Sequence, residues 1–142
     1  MQVKAILQSK GTAVYTVSAG ARVADAIAML NKHNIGAVIV IDADKKLAGI
    51  ISERDVVRLL GRDPDSALKR PISECMTTNV VTTTRDAPIA TLMEQMTRYR
   101  IRHIPIVEEG EILGIVSIGD VVKRKIEETE QEATALREYI AS

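Results

Sequence analysis

The sequence predicts an α/β protein (α+β by some schemes) built from two β-α-β-β-α units related by a pseudo-twofold axis and followed by a C-terminal helix. Three observations predict it. First, Gly49-Ile50-Ile51-Ser52-Glu53-Arg54-Asp55 returns as Gly114-Ile115-Val116-Ser117-Ile118-Gly119-Asp120, and both copies run on into Val-Val. An aliphatic run followed by a hydroxyl and a carboxylate one helical turn apart is the pattern of a strand feeding a helix N-terminus, and its recurrence marks an internal repeat. Second, the residues around the two copies align with a one-residue gap, pairing Val14 with Val80, Thr16 with Thr82, Ala21 with Ala87, Ala24 with Ala90 and Ile35 with Ile101. Third, 142 residues make one domain, whereas half that length buries too little surface to be comfortable alone, so the halves need each other.

The elements follow in order. Val3 to Leu7 reads as a short amphipathic helical turn ended by Gly11, and Val14 to Val17 as a short strand. Val23, Ala26, Ile27 and Leu30 have the spacing of a core-facing helix that stops near Asn34-Ile35-Gly36. Ala37 to Ile41 is a continuous apolar, largely β-branched run, expected to be a strand buried on both faces. Asp42 to Lys46 forms a hairpin turn, Leu47 to Ile51 a strand and Glu53 to Leu60 a helix. The polar stretch Gly61 to Lys69, broken by Pro64, reads as a linker, and Pro71 to Met76 as a short helical turn matching Val3 to Leu7. The second unit then repeats the first: strand Val80 to Thr83, helix Pro88 to Arg100 with Ile89, Leu92, Met93 and Met96 on one face, strand Ile104 to Val107, turn Glu108-Glu109-Gly110, strand Ile112 to Val116, and a helix from Ile118. Pro88 is expected just inside the helix start, with Asp86 near the capping position. The expected divisions are repeat one at 3–60, linker 61–70, repeat two at 71–126 and a C-terminal helix at 127–142. In that last helix Ile126, Thr129, Ala133, Leu136 and Ile140 are spaced 3, 4, 3, 4, a seam that suits packing on its own domain or on a second subunit.

Composition narrows the function. Apolar residues make up 46% and charged ones 27%, as in an ordinary globular protein, and with no Trp or Phe the core must be aliphatic. Nineteen basic and 19 acidic residues cancel, so no global field draws nucleic acid or an anionic membrane. No apolar run approaches a membrane span, and the N-terminus lacks a signal-peptide core. The single Cys75 cannot form an internal disulfide, which fits a cytoplasmic location. Catalysis finds little footing, and the chain is read as a non-enzyme. Cys75, His33 and His103 lack metal-ligand spacing, and His33 is expected to face solvent at a helix end. The first glycine before Ser117 stands one residue too far away for a nucleophile elbow, and no Gly-rich phosphate loop is present.

The tandem units, each closed by Gly-h-h-Ser-x-x-Asp (h aliphatic), resemble a pair of cystathionine-β-synthase (CBS) domains, a stand-alone Bateman module, over roughly Val3 to Ile126. The motif itself agrees: an Asp at a helix start can accept from both hydroxyls of a ribose, while Ser and the free helix N–H groups can hold a phosphate. Ser and Asp are equally good helix caps. The resemblance implies an adenosine-containing ligand in clefts between the repeats, AMP foremost, with ATP, ADP, NAD(H) or S-adenosylmethionine as alternatives. It implies that each cleft draws on both repeats. Site one would join Ile115, Ser117 and Asp120 to Ile35, Gly36, Ala37, the Lys10, Gly11, Thr12 region and Thr16. Site two would join Ile50, Ser52, Arg54 and Asp55 to Ile101, Arg102, His103, Ile104 and Pro105, with Met76 and Thr77. Backbone groups of Ala37 and His103 are the expected readers of the adenine edge. Arg54, Arg102 and His103 are expected to cluster in site two, whereas the matching Gly119, Gly36 and Ala37 bring no cation, so site two should suit a phosphorylated nucleotide better. Ile39 stands where repeat two has Pro105, a position at which the family commonly carries proline. The implied role is a sensor of energy or redox state that modulates an unidentified partner protein and pairs as a homodimer, or an interaction subunit with vestigial clefts.

Overall fold

The computed structural model describes residues 1–11 and 13–142; Thr12, expected in site one, lies outside the described residues. The elements run α1 (Val3–Lys10), β1 (Thr16–Ser18), α2 (Val23–His33), β2 (Ala37–Ile41), β3 (Leu47–Ser52), α3 (Glu53–Arg62), single 3-10 turns at Ala67–Lys69 and Ile72–Glu74, α4 (Ile89–Tyr99), β4 (His103–Glu108), β5 (Glu111–Ser117) and α5 (Ile118–Ala141). β1 lies parallel to β2, β2 antiparallel to β3, and β4 antiparallel to β5.

Local chemistry explains most boundaries. Gly11 ends α1 at φ 85°, and Asn34 and Arg100 end α2 and α4 in the left-handed region that closes helices. The second hairpin turns through Glu109 and Gly110 at φ 51° and 77°, the paired positive values that match the twist of the strands they join.

Three expectations are corrected. Val80 to Thr83 is not a strand: Thr83 alone bridges to Ile106, donating to Pro105 O at 3.0 Å and accepting from Val107 N at 2.9 Å. The next rung would need a donor at Pro105, which has no N–H; Ile39 supplies one in repeat one, where three residue pairs align. The 61–70 stretch is not a bare linker, because α3 continues through Arg62 and Ala67 is 1% exposed within the core of repeat one. Asp63 there accepts from Ser66 and Arg70, which lowers its pKa. Finally, Pro88 is itself the N-cap of α4, and Asp86 points to solvent beside Lys4 rather than capping.

Two aliphatic cores form, and each is closed by a segment that belongs, in sequence, to the other half. Val3 and Ile6 of α1 pack with Ile89, Leu92, Met96, Ile104, Ile106, Val116 and Val121 of repeat two. Ile72, Cys75 and Met76 pack with Val17, Val38, Ile51 and Leu59 of repeat one. The backbone repeats the exchange: Val3 N donates to Ala87 O at 2.9 Å and Ile72 N to Ala21 O at 2.7 Å, the two acceptors being equivalent positions of the repeats. Ile39 is fully buried yet lies in neither core. The pleat turns it to the sheet face opposite Val38 and Val40.

Candidate functional site

The motif glycines sit where the exchanged segments cross. A Cβ on Gly49 would lie 2.7 Å from both Met76 Sδ and Thr77 O, and one on Gly114 would lie 2.8 Å from Leu7 Cδ2. Directly after each crossing, Ser and Asp close a reciprocal cap. Asp55 N donates to Ser52 Oγ at 3.3 Å and Ser52 N to Asp55 Oδ2 at 2.8 Å; the matching distances at Ser117 and Asp120 are 3.2 and 2.8 Å. Each cap satisfies two helix donors, and each draws on only one carboxylate oxygen.

What meets the remaining acceptor capacity differs between repeats. In repeat one, Thr77 Oγ1 donates to Asp55 Oδ1 at 3.2 Å, and Thr77 is bonded through both backbone groups to Ile50, at 3.0 and 2.8 Å. In repeat two, the Lys10 ammonium at the end of α1 donates to Asp120 Oδ2 at 2.8 Å and to Ile115 O at 2.9 Å. Among the described residues Asp120 Oδ1 accepts nothing. Partial burial works against the Asp120 carboxylate, but the bonds from Lys10 and Ser117 outweigh it and bring its pKa below the usual range.

The structure thus brings Lys10, Ile115, Ser117 and Asp120 together, and separately Ile50, Ser52, Asp55, Met76 and Thr77. Gly11 adjoins Lys10 as the cap of α1, and Thr16 pairs with Ile39. Ile35 and Ile101 pack against the core of their own repeat, beside the strands that carry Ala37, Ile104 and Pro105. Arg54 and Arg102 are exposed.

His103 corrects the expected charge distribution. Its strand register pairs it with Ser117, and its ring packs on Gly36, where a Cβ would stand 3.3 Å from Cε1 and 3.4 Å from Nε2. Burial lowers its pKa, the Lys10 charge lowers it further, and Glu53 and Asp120 oppose this. The imidazole therefore shares the field of Lys10 and Asp120, and site one, where Gly119, Gly36 and Ala37 bring no cation, holds the ammonium of the Lys10 grouped with it. Gly36 is the equivalent of Arg102, and Ala37 of His103, so the ring reaches from the first residue of β4 onto the segment that leads into β2 of the other repeat. Glu53 is a site residue that sequence reasoning missed. It occupies a variable position of Ser-x-x-Asp, and its Oε1 lies 3.7 Å from the Gly36 Cβ position.

A His pKa lowered by folding means that the unfolded chain takes up the proton first, so His103 contributes full stability above its ordinary value of about 6.5 and loses it as pH falls through the folded value. Melting temperatures should accordingly decline from pH 7 toward 5, and His103→Gln should flatten that decline. An unchanged slope in the variant would assign the effect elsewhere.

Features with catalytic potential are otherwise engaged. Among the described residues no three His, Cys, Asp or Glu are placed to hold a metal. Burial, and then the Asp55 charge, push the Cys75 thiol up, which keeps it protonated near neutrality. His33 does not simply face solvent: it stacks on Tyr15, ring centroids 3.6 Å apart and planes within 14°. Among the described residues no helix is long and apolar enough to cross a membrane.

Comparison with known proteins agrees with this geometry. The CBS domain family model matches residues 3–62 and 72–127. A CBS-domain-containing protein of Agrobacterium tumefaciens is 42% identical with a TM-score of 0.84, the match covering 87% of this chain and 92% of that one. The CBS domain pair of protein MJ0100, solved in complex with 5-methylthioadenosine and S-adenosyl-L-methionine, is 29% identical with a TM-score of 0.80, covering 90% and 98%. The mitochondrial CBS domain-containing protein CBSX3 of Arabidopsis thaliana is 36% identical over 120 residues, 82% of this chain but 58% of that protein, so the chain spans little more than half of that relative.

Proposed function

This chain belongs to the CBS domain family, and from that premise we propose that it is a regulatory module which binds an adenosine-containing ligand, AMP foremost, in the clefts between its repeats. The observation that carries the reading is the Asp120 carboxylate: half-buried, held ionised by Lys10 and Ser117, with Oδ1 unpartnered among the described residues. A ribose offers two adjacent hydroxyl donors to such an acceptor. The Lys10 ammonium and the free N–H groups at the start of α5 would then face the phosphate. Asp55 with Thr77 offers a second acceptor, matched to a ribose with no ammonium on it. The MJ0100 pair binds two adenosyl compounds on the same fold, which supports an adenosyl ligand here.

Regulation follows from the exchanged segments. A ligand contacting Lys10 on α1 and Asp120 on α5 favours one setting of the crossing, and a partner protein that reads this surface responds through its differential affinity for the two settings. The role is regulatory rather than catalytic. A thermal-shift panel of AMP, ATP, NADH and S-adenosylmethionine tests it. A true ligand at about 100 times its Kd adds roughly 2.7 kcal/mol of stability. No shift from any of them at millimolar concentration would leave the Ser-x-x-Asp boxes as helix caps alone and the chain as an interaction subunit.

A further inference from the structure

α5 is one continuous helix of 24 residues, about 36 Å long, and it runs well past the domain that starts it. Its first turns are fixed by the face carrying Val121, 1% exposed, and Arg124, which donates to Ala5 O at 2.8 Å and Ser9 Oγ at 2.6 Å. From Thr129 onward the side chains are exposed except for the half-buried Ala133. The 3, 4 alternation noted from Ile126 extends back to Val122, and this stripe lies opposite the Val121–Arg124 face. Val122, Ile126, Leu136 and Ile140 are 47%, 53%, 59% and 74% exposed. Packing on its own domain, one of the two readings of the seam, is therefore not what the stripe does.

We propose that α5 pairs through this stripe with α5 of a second copy of the chain, as a short parallel, in-register coiled coil. With Ile126, Ala133 and Ile140 at a, and Val122, Thr129 and Leu136 at d, the flanking e positions are Lys123, Glu130 and Arg137 and the g positions include Lys125 and Glu132. A parallel pair sets each g residue beside the e residue five positions on. Lys125 then faces Glu130 of the partner subunit, and Glu132 faces Arg137 of the partner subunit, each contact occurring twice by symmetry. An antiparallel pair centred on Glu130 sets Glu130 on itself and Lys123 against Arg137. Sliding it by a heptad restores opposite charges but leaves Leu136 and Ile140 beyond the partner's stripe. The parallel arrangement alone satisfies the charges and covers every apolar seam residue. The stripe also points away from the chain's own domain, so the two domains do not obstruct it.

The test is cross-linking of the full chain in a Cys75→Ser background. Ala133→Cys lies on the proposed axis and should form an intersubunit disulfide at least tenfold faster than Gln131→Cys, which sits on the outer face. Lys125→Glu should slow the Ala133→Cys cross-link roughly tenfold, and adding Glu130→Lys should restore it. Lys125, Glu130 and Gln131 are exposed, Ala133 and Cys75 are half-buried, and circular dichroism confirms that each variant is folded. Equal rates for Ala133→Cys and Gln131→Cys, or no rescue by the charge swap, would overturn the proposal whatever other contacts hold copies together.

Discussion

Asp120→Ala is expected to abolish one of two adenosine-ligand binding events in titration calorimetry, and Asp55→Ala the other, while both variants stay folded. The loss should be large because each carboxylate would accept from two ribose hydroxyls, and hydrogen bonds to a charged group are worth about 1.5–3 kcal/mol each. Removing both weakens binding by about two orders of magnitude or more, since each 1.4 kcal/mol is tenfold. The folding cost is smaller: each substitution removes a cap contact, typically about 1 kcal/mol. The two variants should differ in one respect. Asp120→Ala also strips the anion from Lys10, which keeps only Ile115 O, whereas Asp55→Ala releases a neutral Thr77 hydroxyl. Ligand selectivity should therefore shift most in Asp120→Ala, toward phosphorylated ligands, because the freed ammonium can pair with a phosphate and the competing carboxylate is gone. If both variants kept two binding events at unchanged affinity, the clefts would have been placed wrongly.

Much of this arrangement was legible in the residues themselves. The apolar run Ala37–Ile41 is β2 to the residue, and the Ile89, Leu92, Met96 spacing is the buried face of α4. Gly-h-h-Ser-x-x-Asp marked both helix starts correctly, and both capping boxes form. Periodicity, however, reports which face of an element is apolar and not which half of the molecule receives it. Val3 and Ile72 look alike as the first residues of two short turns, and nothing in their spacing says that each closes the opposite core. Lys10 was grouped with site one, but its bond to Asp120 spans 110 positions, and a single lysine at a helix end carries no sequence signal of such a partner. His103 was grouped with site two, but its ring packs on Gly36 within the field of Lys10 and Asp120, and a linear motif carries no sign of that contact between repeats. The missing strand at Val80–Thr83 shows a local rule winning over the repeat, since proline at 105 removes the donor that the second rung requires.

Gly49→Ala should be the most damaging small substitution in the motif. Glycine inside a strand usually weakens it, so alanine there would ordinarily be neutral or slightly favourable. Here the added methyl would stand 2.7 Å from a carbonyl oxygen, Thr77 O, and 2.7 Å from Met76 Sδ. The sulfur can swing aside, but the carbonyl cannot, because it accepts from Ile50 N at 3.0 Å while Thr77 N donates back to Ile50 O at 2.8 Å. Relief requires moving the whole 76–77 segment off β3, at a cost toward the upper end of the roughly 1–3 kcal/mol seen for overpacking. Gly114→Ala is the internal control. Its close contact is Leu7 Cδ2, the rotatable end of a side chain, at 2.8 Å, with Ile106 Cδ1 at an ordinary 3.9 Å, and it should cost less than half as much. At about 2–4 °C per kcal/mol for a chain of this size, thermal melts should separate the two variants clearly. Because Thr77 also donates to Asp55, Gly49→Ala should weaken the binding event that depends on Asp55 and spare the one that depends on Asp120. Equal melting temperatures would mean that the crossing segment yields as readily as a leucine methyl, and that the motif glycine is not there to let the two halves interlock.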